Sequence, residues 1–248
     1  MRNTVALALS LIACNGGGDS DTSADTGPQP VCTTPTTVPC EDDIFADLSL
    51  HDDKVATDAD VVTTTDGADF VTTVDADGGG YNVAANNPWV YVKFTATGAQ
   101  RVDIDDQTAL ESMDWDIAAR RFGLRLNGGV SGPSCVGAAV FPEATYESIT
   151  EVPVGVEYVR EAFYSDSCAY IPDSFGLNSP QVVLSPWWSY ESCVKTTGHP
   201  ALLQLADGHV IKFVVEEYYG TGQAECNSGG APDTDTSGHF TWRWAYVD

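Results

Sequence analysis

The stretch from Trp115 to Pro133, WDIAARRFGLRLNGGVSGP, constrains this chain more than any other. Trp115, Ile117 and Ala119 alternate, and so do Phe122, Leu124 and Leu126, but in the opposite phase. Strand side chains repeat every second residue, so a phase flip needs one extra residue. The pattern predicts one long strand with a β-bulge or twist near Arg120–Arg121. Asn127-Gly128-Gly129 should end that strand, because these residues tolerate positive φ.

The rest of the chain has the same β texture. Trp89–Phe94 reads as a strand with Trp89, Tyr91 and Lys93 opposite Val90, Val92 and Phe94. Val61–Thr65 and Phe70–Val74 read as a hairpin. Ala201–Ala206 and His209–Tyr219 flank Asp207-Gly208, a type I′ hairpin signal. Phe240, Trp242, Trp244 and Tyr246 alternate with Thr241, Arg243, Ala245 and Val247, as in a closing strand with one aromatic face in the core. Trp187 and Trp188 read as core or pocket wall. Glu41–Leu50 can form a short helix on Ile44, Phe45 and Leu48. Between Cys135 and Ser185 the chain is loop-rich and aromatic, with strand fragments at Val152–Val156 and Gln181–Leu184. A long insertion of this kind on a rigid scaffold is where binding usually sits. The expected fold is therefore all-β: a single antiparallel β domain with a long loop insertion, preceded by a disordered tether.

The N-terminus sets the compartment. Met1-Arg2 and the apolar run Val5–Ala13 are too short for a mature membrane span and end in Leu11-Ile12-Ala13-Cys14. This resembles a bacterial lipobox, which implies that Cys14 is lipidated and becomes the new N-terminus. Residues 1–13 are then a lipoprotein signal peptide, 14–40 a flexible tether and 41–248 the β domain. Acyl chains on Cys14 would hold the protein at a membrane surface, in the bacterial cell envelope, at the outer membrane or cell surface. As a coil, Asn15–Pro39 would place the domain roughly 25–30 Å from its anchor. With Cys14 set aside, six cysteines remain: Cys32, Cys40, Cys135, Cys168, Cys193 and Cys226. An exported protein would pair them. Shortest-loop pairing gives Cys32–Cys40, Cys135–Cys168 and Cys193–Cys226.

Function classes can be narrowed. The net charge of −25 repels nucleic acid and anionic lipid headgroups. Ser131 among glycines has no histidine in a recognisable catalytic setting, and no close acid pair stands out, so no enzyme is expected. Asp116 is expected to face Arg120 or Arg121 as a structural pair. Asp75-Ala76-Asp77-Gly78-Gly79-Gly80 opens like a calcium loop but lacks the third acidic position and the distal glutamate, so a turn is expected. No C-x-x-C spacing occurs, and no metal site is nominated. Between Val102 and Val194 the only basic residues are Arg120, Arg121, Arg125 and Arg160. Three lie on the organising stretch and could donate to an anionic ligand group, or simply neutralise nearby carboxylates.

The W-D-I-A-x-R-R and R-L-N-G-G-x-S-G-P segments, the W-V-Y strand, the Asp-Gly hairpin carrying Lys212, the terminal aromatic strand and the lipobox together resemble the HmuY-like family of bacterial haem-binding lipoproteins. The likeness runs from about Trp89 to the C-terminus. It implies an all-β surface lipoprotein that captures haem and hands it on, through an outer-membrane transporter, for iron uptake. Family members hold iron through axial side chains such as histidine on strands and loops beyond the glycine turn. Here Asn127–Gly198 contains neither histidine nor methionine. Tyr146, Tyr158, Tyr164 and Tyr170 are the side chains in that region able to ligate haem iron. The expected site is a pocket between Arg120, Arg121, Arg125 and the insertion, for haem or a related flat anionic ligand. The competing expectation is a structural or adhesive surface module with no small ligand and no such pocket.

Overall fold

Val90, Val92 and Phe94 point to one side of their strand and meet Phe213, Trp242 and Trp244 from another, and on that contact the core is built. The computed structural model describes residues 28–77, 86–174 and 179–247. The signal peptide, Cys14 and residues 78–80 of the calcium-like stretch lie outside the described residues.

After α1 (Glu41–Asp47) come β1 (Val61–Asp66), β2 (Asp69–Asp75), β3 (Val90–Thr95) and β4 (Gly98–Val102). A single helical turn, α2 (Asp106–Ala109), precedes β5 (Ile117–Arg120), β6 (Gly123–Leu126) and β7 (Gly137–Val140). The chain ends with β8 (Trp188–Tyr190), β9 (Val194–Thr196), β10 (Ala201–Gln204), β11 (Val210–Tyr219), α3 (Ala224–Asn227) and β12 (Ser237–Tyr246). A six-stranded sheet runs β1-β2-β12-β11-β10-β7, and a four-stranded sheet runs β4-β3-β5-β6; every pairing is antiparallel. Their facing sides enclose one apolar core, with Ile117, Ala119, Leu124 and Leu126 on one side and Leu203, Ile211, Phe213 and Trp242 on the other. The all-β expectation holds. So do the short helix at Glu41, the 61–74 hairpin and the alternating aromatic strand at the C-terminus.

The organising stretch is folded differently from expectation. It is two strands, β5 and β6, joined by a tight turn at Arg121-Phe122, in the register Ile117↔Leu126 and Ala119↔Leu124. Arg121 sits at φ 51°, a turn conformation rather than a bulged strand. A two-residue turn reverses the phase as a bulge would, and neither Arg nor Phe announces a turn. Trp115 precedes the strand and leaves the face of Ile117. It packs on the far side of the small sheet with Trp89, Tyr91, Ile44 and Phe163. Beyond β6, the Gly129 backbone (φ 65°) runs so close to Glu161 that a Cβ would lie 2.0 Å from its carbonyl oxygen. Only glycine permits that approach.

Three further expectations change. Cys32 pairs with Cys135 and Cys40 with Cys168, while Cys193–Cys226 is as expected. Residues 31–40 are accordingly part of the folded body. The Val31 N–H donates to the Ala206 carbonyl, the Thr36 N–H to the Pro133 carbonyl, and Val38 is buried. At Asp207-Gly208 only Gly208 has positive φ, so the turn is not type I′. Val152–Val156 and Gln181–Leu184 are not strands; the insertion is irregular chain held by isolated bridges, one of them Ala138↔Val159.

Candidate functional site

Arg125 lies opposite Ala118 in the β5–β6 register, on the sheet face turned away from the central core. It has no solvent exposure. Its guanidinium carbon is 4.9 Å from the Trp89 ring, 5.3 Å from Tyr91 and 5.0 Å from Trp115, an aromatic cage of cation–π contacts. Nη1 donates to the Ser131 carbonyl at 2.7 Å and Nη2 to the Tyr91 hydroxyl. Tyr91 in turn donates to Asp106 Oδ1 at 2.8 Å, and Asp106 also accepts from the Trp89 and His51 N–H groups. The buried positive charge is thus balanced through Tyr91 by a buried carboxylate. Arg125 is fully buried and ties these elements together from within the fold.

Arg120 donates to the carbonyls of Leu48, Ser49 and Asn87 and lies over Trp89. Burial lowers its pKa to about 10. Arg121 faces Tyr218, on the other side of the hairpin. Arg120 and Arg125 share a face, both over Trp89, while Arg121 turns to the other, so the three do not converge on one pocket. Asp116 pairs with Lys93 Nζ at 3.1 Å, not with Arg120 or Arg121, and also accepts from the Phe94 N–H.

The four tyrosines also separate. Tyr164 and Tyr170 pack on the Trp89 side, with ring centroids 5.6 Å apart, and the Tyr164 hydroxyl donates to Asp47. Burial pushes Tyr170 up to about 12. Tyr158 packs with Ile149, Leu202 and Val210 on the outer face of the large sheet. Tyr146 lies beneath Lys212, whose Nζ is 4.2 Å from its ring centroid. Burial, and then the Asp69 carboxylate, raise the Tyr146 hydroxyl. That hydroxyl is buried near Asp69 yet makes no well-formed hydrogen bond.

Two concavities flank the insertion. One, about 560 Å³, lies between β7 and the insertion and is lined by Val140, Val159, Arg160, Gln181 and Val183. The other, about 640 Å³, lies between β11 and the 3-10 turn Tyr146–Ser148 and is lined by Tyr146, Thr197, His199, Val214 and Glu216. Both fall in the size range of small-molecule sites. The second holds a buried polar atom without a hydrogen-bond partner, His199 Nδ1. A buried unsatisfied group in a native fold needs a reason, and a ligand is one. Lys212, beside this groove, has no carboxylate within salt-bridge distance among the described residues. His199 follows the insertion in sequence, outside the stretch where the sequence points to ligands, and reaches the groove on the chain leading into β10.

The insertion is anchored by Glu161. Its carboxylate accepts from the Leu126 N–H at 3.0 Å and the Val183 N–H at 2.9 Å, tying β6 to the middle and the C-terminal end of the excursion. Burial pushes Glu161 up to about 7 and Asp116 up to about 6, and the hydrogen bonds only partly oppose it. The folded protein therefore holds these protons to higher pH than the unfolded chain does. Their contribution is full below the unfolded carboxylate pKa and is lost as pH rises through 6 and 7. Lowering the pH from about 8 to about 5 is expected to stabilise the protein through these two groups, by up to about 3 kcal/mol for Glu161. Thermal melts at constant ionic strength check this, and the pH difference should shrink in Asp116→Asn and Glu161→Gln.

The fold is thus an antiparallel β-sandwich with a disulfide-bound loop excursion and solvent-open grooves beside it. The HmuY protein family model matches residues 85–244, and the chain belongs to that family. No functionally curated protein matches it. Among solved structures it is similar to a candidate HmuY-like heme-binding protein from Bacteroides vulgatus ATCC 8482, at 16% identity over 76% of this chain and 97% of that one, TM-score 0.46. It is also similar to the apo HmuY analog of Tannerella forsythia, at 13% identity over 76% of this chain and 97% of that one, TM-score 0.41. A candidate lipoprotein from Bacteroides fragilis NCTC 9343 is 17% identical over 77% of this chain and 98% of that one, TM-score 0.41. No helix among the described residues is long and apolar enough to cross a membrane.

Proposed function

We propose that the protein is a cell-envelope lipoprotein, anchored through Cys14, that captures haem or a related flat anionic ligand beside the Cys135–Ser185 insertion. Release to an outer-membrane transporter completes the reading. The carrying observation is the groove lined by Tyr146 and His199, where the buried His199 Nδ1 has no hydrogen-bond partner and the Lys212 ammonium lies over the Tyr146 ring. His199 is the better iron ligand of the pair. Burial and the acidic neighbours of Tyr146 keep its hydroxyl protonated, and ferric iron prefers phenolate. Lys212 is placed to meet a propionate.

Titrating the purified, oxidised protein with haemin is expected to give a saturable Soret change. His199→Ala should weaken binding by at least about tenfold, or roughly 1.4 kcal/mol. Unchanged affinity in that variant moves the site away from this groove. No Soret change with the wild-type protein at micromolar haemin removes haem and leaves the structural or adhesive surface module.

A further inference from the structure

We infer that Asp75, Asp77 and His239 form a site for one divalent transition-metal ion of the zinc type. One ligand atom from each lies within 4.8 Å of the others. The placement is built into the backbone. Ala76, buried between the two aspartates, donates its N–H to the Gly238 carbonyl at 2.8 Å and accepts from the Arg121 N–H at 2.7 Å. Gripped from both sides, it sends the carboxylates two residues apart toward a common side. His239 is the direct cross-strand partner of Asp75, with Nε2 3.6 Å from Asp75 Oδ1. Gly238, at φ 93°, lets Asp77 come in: a Cβ there would sit 3.0 Å from the Asp77 Cα.

The histidine is also set up as a ligand by a group outside the cluster. Its Nδ1 lies 3.0 Å from the Thr236 carbonyl oxygen. A carbonyl can only accept, so Nδ1 carries a proton, and Nε2, 3.6 Å from Asp75 Oδ1, is the nitrogen left to face a metal. Metal-binding histidines are oriented in this way by a backbone carbonyl behind them. With bonds of about 2.0–2.2 Å, a bound ion needs its ligand atoms drawn in by only about 1 Å. One imidazole with two carboxylates suits zinc, cobalt or nickel better than calcium, which takes oxygen ligands alone. The aspartates open onto a hollow of about 620 Å³ that also carries Asp53 and Asp58, leaving room for a water ligand and concentrating cations.

The test is calorimetric titration of the EDTA-stripped, disulfide-intact protein with Zn²⁺, in excess Mg²⁺ to saturate the diffuse acidic surface. One saturable site per chain is expected. His239→Gln and Asp77→Asn should each weaken it at least about tenfold, no less than loss of an outer-shell partner costs. His209→Gln should leave it unchanged. Co²⁺ should give a visible ligand-field absorption that His239→Gln abolishes. Non-saturable uptake, equal competition by Ca²⁺, or full Zn²⁺ affinity in both ligand variants overturns the site. If His239→Gln is poorly folded, Asp77→Asn, a half-buried position, decides alone.

Discussion

Replacing Cys40 and Cys168 with serine is expected to lower the unfolding free energy by about 4–5 kcal/mol, the chain-entropy value for so long a closed loop. The bond spans 128 residues of sequence and joins the start of α1 to the insertion. Its loss frees the unfolded chain, and it also releases the wall of Trp89, Trp115 and Phe163 on which α1 packs Ile44 and Leu48. Denaturant unfolding of the double-serine variant against wild type checks the magnitude. Cys193–Cys226, closing only 33 residues, should cost less when removed. A domain cut to begin at residue 41 loses both long-range bonds, so binding studies need residues 28–40 in place.

Arg125→Ala is expected to cost about 3–5 kcal/mol, the range for leaving a buried charge network broken. The substitution removes the donors to the Ser131 carbonyl and the Tyr91 hydroxyl. It leaves Asp106 without the charge that balances it and empties the space among Trp89, Tyr91 and Trp115. Arg125→Lys should recover little, because an ammonium cannot reproduce the planar fork between two acceptors and three rings. Thermal and urea unfolding measure both variants. A ligand-binding role predicts instead a stable protein with weakened haemin affinity, so the two readings of Arg125 separate in one pair of measurements.

What the sequence discloses here is periodicity. Alternation along Trp89–Phe94 and Phe240–Tyr246 marks both strands, and for the second its inward aromatic face, because a two-residue repeat needs no knowledge of partners. The phase flip at Arg120–Arg121 was seen, but its cause was not. A bulge and a two-residue turn leave the same trace, and Arg121 adopts positive φ with none of the residue types that advertise it. Disulfide pairing followed loop length in the sequence, whereas the fold lays residues 31–40 across loops 95 or more residues away. The arginines looked like an unspent positive charge because three rings and a tyrosine-bridged carboxylate, drawn from Trp89 to Trp115, cannot be assembled by inspection. The same holds for the groove: Tyr146 was nominated by type, but His199 and Lys212 join it only through β10 and β11.

The strap at residues 31–40 has a mechanical meaning. Drawing on the N-terminus of a β-sandwich usually peels away its first strand. Here any tension from that end meets the sulfur bridge to Cys135 first and the bridge to Cys168 next, before β1 is loaded. A body hung from a membrane by this route would be carried by its glycine loop and insertion, which would stay taut under shear while the sheets hang unstressed beneath.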